Sequence, residues 1–157
     1  MSGVTLRRMS AADVEAFLAA TRPAYAAERA VADHQPLPAA TARAAAQTDQ
    51  LLPRRGDTPG HRFEHIVDAA GAVVGGIWWG VDAALGEAFV YYLTVDPPRR
   101  RRGHARAALA AVESAARAAG CRTLGLNVFT PNRGAIALYE RAGFAAVAQY
   151  MNKPLGR

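Results

Sequence analysis

One cysteine, one lysine and no long apolar run are the first features of this 157-residue chain. Cys121 has no second cysteine to pair with, so an internal disulfide framework is excluded and a reducing compartment is expected. No segment approaches the roughly 18 consecutive apolar residues of a membrane span. The opening "MSGVTLRRMS" lacks the apolar core of a secretory signal. A cytoplasmic protein with no membrane partner is expected. No Cys/His cluster has metal-ligand spacing, so no metal is expected. The P-loop pattern G-x-x-x-x-G-K-[ST] is missing, and so is the dinucleotide fingerprint G-x-G-x-x-G. There are no internal repeats and no low-complexity linker.

The residues that are present describe a globular chain. Hydrophobic residues make up 51% and charged residues 20%, which excludes disorder. The length suits one domain over residues 1–157, large enough for a real core. The net charge is +6, which can favour nucleic acid or acidic ligands. That total is discounted here. Of nineteen basic residues only Lys153 is lysine, and alanine is abundant, a bias typical of a GC-rich genome.

The pattern predicts a mixed α/β domain. Ser10 and Asp13 form a capping box before a helix whose apolar face is Val14, Phe17 and Leu18, with Pro23 breaking or kinking it. An alanine-rich second helix ends at Pro53. "FEHIVDAAGAVVGGIWWG" reads as two strands around a turn at Asp68–Gly71, and "EAFVYYLTV" as a central strand ended by Pro97. A helix follows from about Arg102 to Ala119, then the strand "TLGLNVF". Another helix runs between an Asn132 cap and Gly143, and "FAAVAQYMNKPL" reads as a final strand.

The stretch "PPRRRRGHARAAL" joins the central strand to a helix. The first backbone N–H groups of a helix lack internal partners, and the helix dipole adds positive charge there. Together they hold anions, phosphate above all. Gly103 allows close backbone approach, Ala105 keeps the next turn small, and arginine adds bidentate contacts to phosphate oxygens. The plain alternative is a solvated arginine turn.

Two strings settle this alternative. Val95-Asp-Pro97-Pro-Arg-Arg100-Arg-Arg-Gly103-His-Ala105 resembles the acetyl-CoA signature V-x-P-x-x-[RQ]-x-x-G-x-[GA] of the GNAT N-acetyltransferase superfamily. "LNVFTPNRGAIALYERAGF" resembles that family's second signature, in the right order and spacing. "YAAE" at 25–28 and "LLPRRGDTPGH" at 51–61 resemble one bacterial branch more loosely. The resemblance implies a mixed, mostly antiparallel sheet with a splayed central strand pair and flanking helices. It implies that acetyl-CoA is the co-substrate, and that its diphosphate lies on Arg100, Arg101, Arg102, Gly103, His104 and Ala105. The backbone of Leu93, Thr94 and Val95 would meet the pantetheine arm, with Asn127 and Asn132 completing the cofactor set. Asn132 is also a plain helix cap.

Tyr139 matches the family's general acid. Attack of an amine on a thioester expels a thiolate whose thiol has a pKa of about 8.5, and a phenol of pKa near 10 can protonate or hydrogen-bond that sulfur. Without the likeness, Tyr139 reads as a packing aromatic. The general base is less determined. Relatives in this branch often carry acids where this chain has Tyr92 and Thr94, which leaves Glu28, His61, Glu87, a water chain or a neutral amine. Trp78 and Trp79 are adjacent on a strand and face opposite sides, one in the core and the other beside the acceptor. Glu28, His61, Trp78 and Tyr92 form the candidate acceptor set. His104 reads as a loop side chain, and Cys121 as a small buried hydrophobe.

The expected reaction is acetyl transfer from acetyl-CoA to a primary amine, either a small molecule or a peptide, by a monomer or homodimer. Two rivals stand beside it. One is a non-catalytic acyl-CoA sensor on the same fold. The other is a nucleic-acid binder using Arg99–Arg102, against which the confinement of the run to one loop argues.

Overall fold

The computed structural model describes residues 3–156; residues 1, 2 and 157, the ends of the expected domain, lie outside the described residues. The elements in chain order are β1 (Val4–Arg8), α1 (Ala11–Ala32), α2 (Leu37–Leu51), β2 (His61–Asp68), β3 (Val73–Asp82), β4 (Glu87–Val95), α3 (His104–Ala118), β5 (Thr123–Leu126) and α4 (Arg133–Arg141). The sheet order is β1-β2-β3-β4-β5. The first three pairings are antiparallel; short turns join β2 to β3 and β3 to β4, whereas α1 and α2 separate β1 from β2 in the chain. The β4–β5 pairing is parallel, because α3 carries the chain back across the sheet before β5 begins.

The alternating pattern of the strands divides the apolar residues between two cores. Ile66, Val74, Ile77, Trp79, Ala88 and Val90 face α3, which supplies Ala108, Leu109, Val112 and Ala116. On the other face Phe63 and Trp78 meet Met9, Val14, Phe17, Leu18 and Leu52. Trp78 and Trp79 therefore do point to opposite sides, and both are buried. Gly76 keeps the second face open. A Cβ there would sit 2.8 Å from both Met9 Cε and the Phe17 ring.

The Ser10–Asp13 capping box forms: Ser10 Oγ accepts from the Asp13 amide at 3.1 Å, and Asp13 accepts from the Ser10 amide at 3.2 Å. Beyond it α1 runs through Pro23 without a break. The proline removes one helical hydrogen bond. Buried Phe17, Leu18 and Thr21 before it and Ala26 after it hold both halves on the same support. Tertiary burial thus overrides the local penalty.

Three strands differ from expectation. The short β1 lies beside β2 although "VTLRR" is too brief to read alone; its half-buried Val4 and Leu6 pack against the α3-side core. The strand expected from Phe144 onward does not form: residues 144–156 have no regular structure. β5 is shorter than "TLGLNVF" suggested, because its ladder with β4 stops at Val90↔Leu126 while β4 continues to Val95. The two strands part there, as the family likeness implied. Their separation lies at the edge of the sheet, since among the described residues no further strand forms outside β5.

Candidate functional site

The loop after β4 is organised by its own backbone. A short turn over Pro97–Arg99 leads to Arg100, whose Nε donates to the Val95 carbonyl at 2.8 Å and so pins the end of β4. Arg101 adopts φ 63° and Gly103 φ 81°, both left-handed, which turns the chain sharply into α3. Gly103 caps α3 and offers no side-chain acceptor, and the first turn contains no acidic residue. The leading N–H groups of α3 are thus left for an external anion. This donor set fits a diphosphate.

The four arginines do not act alike. Arg99 lies 3.7 Å from Asp68, and Arg100 serves the backbone. Arg101 and Arg102 are exposed and form no ion pair among the described residues. A continuous basic strip of the kind that tracks a nucleic-acid backbone is not built. His104 differs from the loop side chain expected: it is the first residue of α3 and is buried, its Nδ1 unpartnered, because the turn through Gly103 directs it inward at the helix start.

A β-bulge sets the middle of β4. Trp78 pairs with Tyr92 and Trp79 with Val90, so Tyr91 has no opposite number. The extra residue places two consecutive tyrosines on the α1 side of the sheet. Tyr92 meets Phe17 edge-on at 6.2 Å, and Tyr91 stacks on Trp78 at 4.7 Å. Leu93, Thr94 and Val95 follow where β4 has left β5, with Leu93 packed toward α3. On that side their backbone groups have no ladder partner, which is the arrangement an amide-bearing arm could complete.

Three titratable groups converge beside this gap. Burial raises the Tyr139 phenol above its ordinary value, and the charge of Glu28 and then Tyr92 raise it further. Tyr92 is raised by burial and by Glu28, with Arg100 opposing. Glu28 is itself raised by burial. The contacts of α1 explain the approach. Phe17 touches Tyr92, Tyr25 touches Phe129 at 6.0 Å, and Arg29 lies over the Phe129 ring at 5.7 Å. Glu28 lies on the same helical face, less than a turn beyond Tyr25. Tyr139 is half-buried on α4, edge-on to Phe144 at 5.9 Å.

The other predicted residues fall elsewhere. Asn132 caps α4, its Oδ1 accepting from the Ala135 amide at 3.1 Å, and Asn127 is exposed just past β5. His61 accepts from Trp78 Nε1 at 3.0 Å, and burial lowers its pKa. It belongs to an aromatic stack with Trp78 and Tyr91 rather than to the Glu28 group. Glu87 begins β4, about 17 Å from Tyr92 at roughly 3.4 Å per residue, which removes it from the gap. Cys121 is half-buried against the α3-side core. A separate depression of about 670 Å³, lined by Arg8, Ser10, Thr58, His61 and Phe63, lies over β1 and β2 and contains none of the three converging groups. Among the described residues no cluster of His, Cys, Asp or Glu could hold a metal, and no helix is long and apolar enough to cross a membrane. Sequence reasoning missed Phe17, Tyr25, Tyr91 and Phe129 as walls of this region. The paired tyrosines were visible, but the bulge that turns both inward was not.

The chain resembles known proteins throughout. The model of the acetyltransferase (GNAT) family matches residues 24–144. The uncharacterized N-acetyltransferase YycN of Bacillus subtilis is 38% identical over 107 residues, covering 67% of this chain and 69% of that protein. The crystal structure of the putative acetyltransferase YycN from the same organism superposes with a TM-score of 0.89 at 32% identity, over 98% of this chain and 99% of the other. The aminoglycoside N-acetyltransferase AAC(6')-Iy, solved in complex with CoA, shares the fold at a TM-score of 0.59 and 18% identity, over 98% and 96% of the two chains.

Proposed function

Because the chain belongs to the GNAT acetyltransferase family, we propose that it transfers the acetyl group of acetyl-CoA to a primary amine, with both substrates bound together where β4 parts from β5. The convergence of Glu28, Tyr92 and Tyr139 at that gap supports this reading. Acyl transfer itself follows from the family; the acceptor class and the residue roles are the proposal.

The diphosphate is held by the N–H groups of residues 101–105, with Arg101 and Arg102 free to reach it. The pantetheine arm takes the backbone of Leu93–Val95 on the side without a β5 partner, apart from the Val95 carbonyl that Arg100 already holds, and passes Asn127 and Asn132. Glu28 holds the acceptor ammonium and takes its proton, directly or through one water. Its raised pKa makes it a better proton acceptor than an exposed carboxylate. The amine nitrogen then attacks the thioester carbonyl carbon. The C–N bond forms, the C–S bond breaks, the electron pair leaves on sulfur, and the surplus proton on nitrogen passes to solvent water. Tyr139 protonates that thiolate. Burial keeps its phenol in the protonated, donating form at neutral pH. Tyr92 and the stack behind it line the acceptor side, where His61 and Trp78 act as wall. The setting proposed is the cytoplasm, where a lone cysteine stays reduced.

Turnover of acetyl-CoA over a panel of primary amines tests the proposal. Thiol release that depends on the amine, with acetyl-amide appearing in equal amount, is the expected result. Tight acetyl-CoA binding with no turnover across monoamines, polyamines, aminoglycosides and peptide amines would favour the sensor reading. Absence of acetyl-CoA binding would overturn both.

A further inference from the structure

The turn between β2 and β3 divides one carboxylate between two tasks. Asp68 Oδ1 accepts from the Ala70 amide at 3.0 Å and from the Ala72 amide at 2.9 Å, which closes the turn. Oδ2 takes no part in the turn. It lies 3.7 Å from Nη1 of Arg99, in the loop before α3. The Asp68 side chain is only 15% exposed. The Ala72 amide first, then the Ala70 amide and the charges of Arg99 and His104, hold its carboxyl below the ordinary value against the opposing effect of burial. Asp68 is therefore ionised at neutral pH, and its charge faces the loop from a largely desolvated position.

The loop has few other supports. Residues 96–103 carry the chain from β4 to α3, with left-handed backbone at Arg101 and Gly103. Arg100 returns only to Val95, at the end of the strand it follows. Among the described residues, the loop's polar ties beyond the two elements it connects both end on the β2–β3 hairpin. One is the Asp96 amide, which donates to the Val74 carbonyl at 2.8 Å. The other is Arg99 to Asp68. The start of α3 brings no anchor of its own. Gly103 adds no side-chain cap, and Nδ1 of buried His104 has no partner among the described residues. The direction in which the leading N–H groups of α3 point is thus set by the loop before them.

We propose that Asp68 is a positioning residue for the cofactor: by holding Arg99 it sets the course of residues 96–103, so that the N–H groups opening α3 converge on the diphosphate. This rests on the reading of that loop as the cofactor site, and the roles given to Glu28 and Tyr139 do not enter. Charge alone predicts the contrary. A carboxylate near an anion site repels the anion, and Asp68 also occupies an arginine that would otherwise be free to meet phosphate. Without a positioning role, removing its charge would strengthen cofactor binding. With one, the same change weakens it.

Calorimetric titration of Asp68→Asn with coenzyme A tests this. The substitution keeps an oxygen to accept from the Ala70 and Ala72 amides and replaces the charge facing Arg99 by an NH2 group. The dissociation constant should rise about 3–10-fold, the worth of one partly shielded ion pair. KM for acetyl-CoA should rise in step, with kcat at saturating acetyl-CoA unchanged. Arg99→Gln should cost a similar factor, and the double variant no more than either alone, as for a coupled pair. Asp68→Asn that binds coenzyme A as tightly as wild type, or more tightly, overturns the inference. So do single losses that simply add. If Asp68→Asn does not fold, Arg99→Gln decides: a loss of affinity that persists at about 0.5 M salt supports positioning, and one that vanishes there is long-range attraction and overturns it. Wild type that binds no coenzyme A overturns the cofactor site and the inference together, whereas the other adverse results leave the site standing.

Discussion

Tyr91 stacks on Trp78 with ring centroids 4.7 Å and planes 19° apart, although strict alternation along β4 would send its side chain to the opposite face from Tyr92. The bulge between Val90 and Tyr92 removes that conflict. It also brings Tyr92 against Phe17 of α1, at the point where β5 turns away. The gap beside Glu28 and Tyr139 is thus bordered by an aromatic layer that reaches back to Phe63.

That layer is structural first. Trp78→Ala removes the stack with Tyr91 and Phe63 and the N–H donated to His61. A loss of about 3–5 kcal/mol is expected, the range for emptying a large aromatic site. Denaturant unfolding at constant m checks it. A loss below about 1 kcal/mol would mean the layer collapses to fill the space.

Acetyl-CoA should stabilise the chain. At a ligand concentration 100 times the dissociation constant the gain is about 2.7 kcal/mol. For a domain of this size that corresponds to a Tm rise of roughly 5–10 °C. An unchanged Tm at millimolar ligand would remove the loop before α3 as the cofactor site.

Gly103→Val closes that site in two ways. The position has φ 81°, which a β-branched residue adopts at a cost of about 1–3 kcal/mol. The side chain also stands where phosphate must approach the first N–H groups of α3. The variant should stay folded by circular dichroism, with a lower Tm, and should lose the thermal response to acetyl-CoA. A retained response would place the diphosphate elsewhere.

Tyr139→Phe keeps the ring that packs on Phe144 and deletes the hydroxyl. The expected loss is about 10²–10⁴-fold in kcat, with acetyl-CoA affinity little changed, as for an interaction made in the transition state. Full kcat where chemistry limits the rate would make Tyr139 a packing residue. A loss of affinity with no separate loss of kcat would make it a positioning residue.

Glu28→Gln separates chemistry from stability. Burial raises the folded-state pKa of Glu28 above its unfolded value. Charge on this carboxylate therefore opposes folding above the folded pKa, and the penalty disappears below the unfolded pKa, near the ordinary glutamate value of 4.5. The glutamine variant should consequently be no less stable than wild type at neutral pH. It should lose turnover and the acid limb of the kcat/KM profile, which in wild type lies above the ordinary carboxylate range. An acid limb that survives the substitution would assign the proton transfer to another group.

Much of this protein is legible in the order of its residues. The ends of β4, the Ser10 cap, the Asn132 cap and the turn at Asp68–Gly71 follow from local chemistry, because each depends on neighbours a few residues away. The anion-binding character of the loop before α3 is local in the same way: a glycine with positive φ and a run of free amides need no distant partner. The opposite facing of Trp78 and Trp79 comes from strand geometry alone.

Other features depend on what each segment finds in space. Pro23 alone predicts a break or kink in α1, but buried residues on both sides of it carry the helix through. Val4–Arg8 becomes a strand because β2 offers an edge, whereas "FAAVAQYMNKPL" pairs with no strand among the described residues. Glu28 and Tyr139 lie more than a hundred residues apart in sequence, and no local pattern relates them. They meet because α1 crosses the sheet face at the place where β4 and β5 diverge, and the desolvation that tunes both groups exists only there.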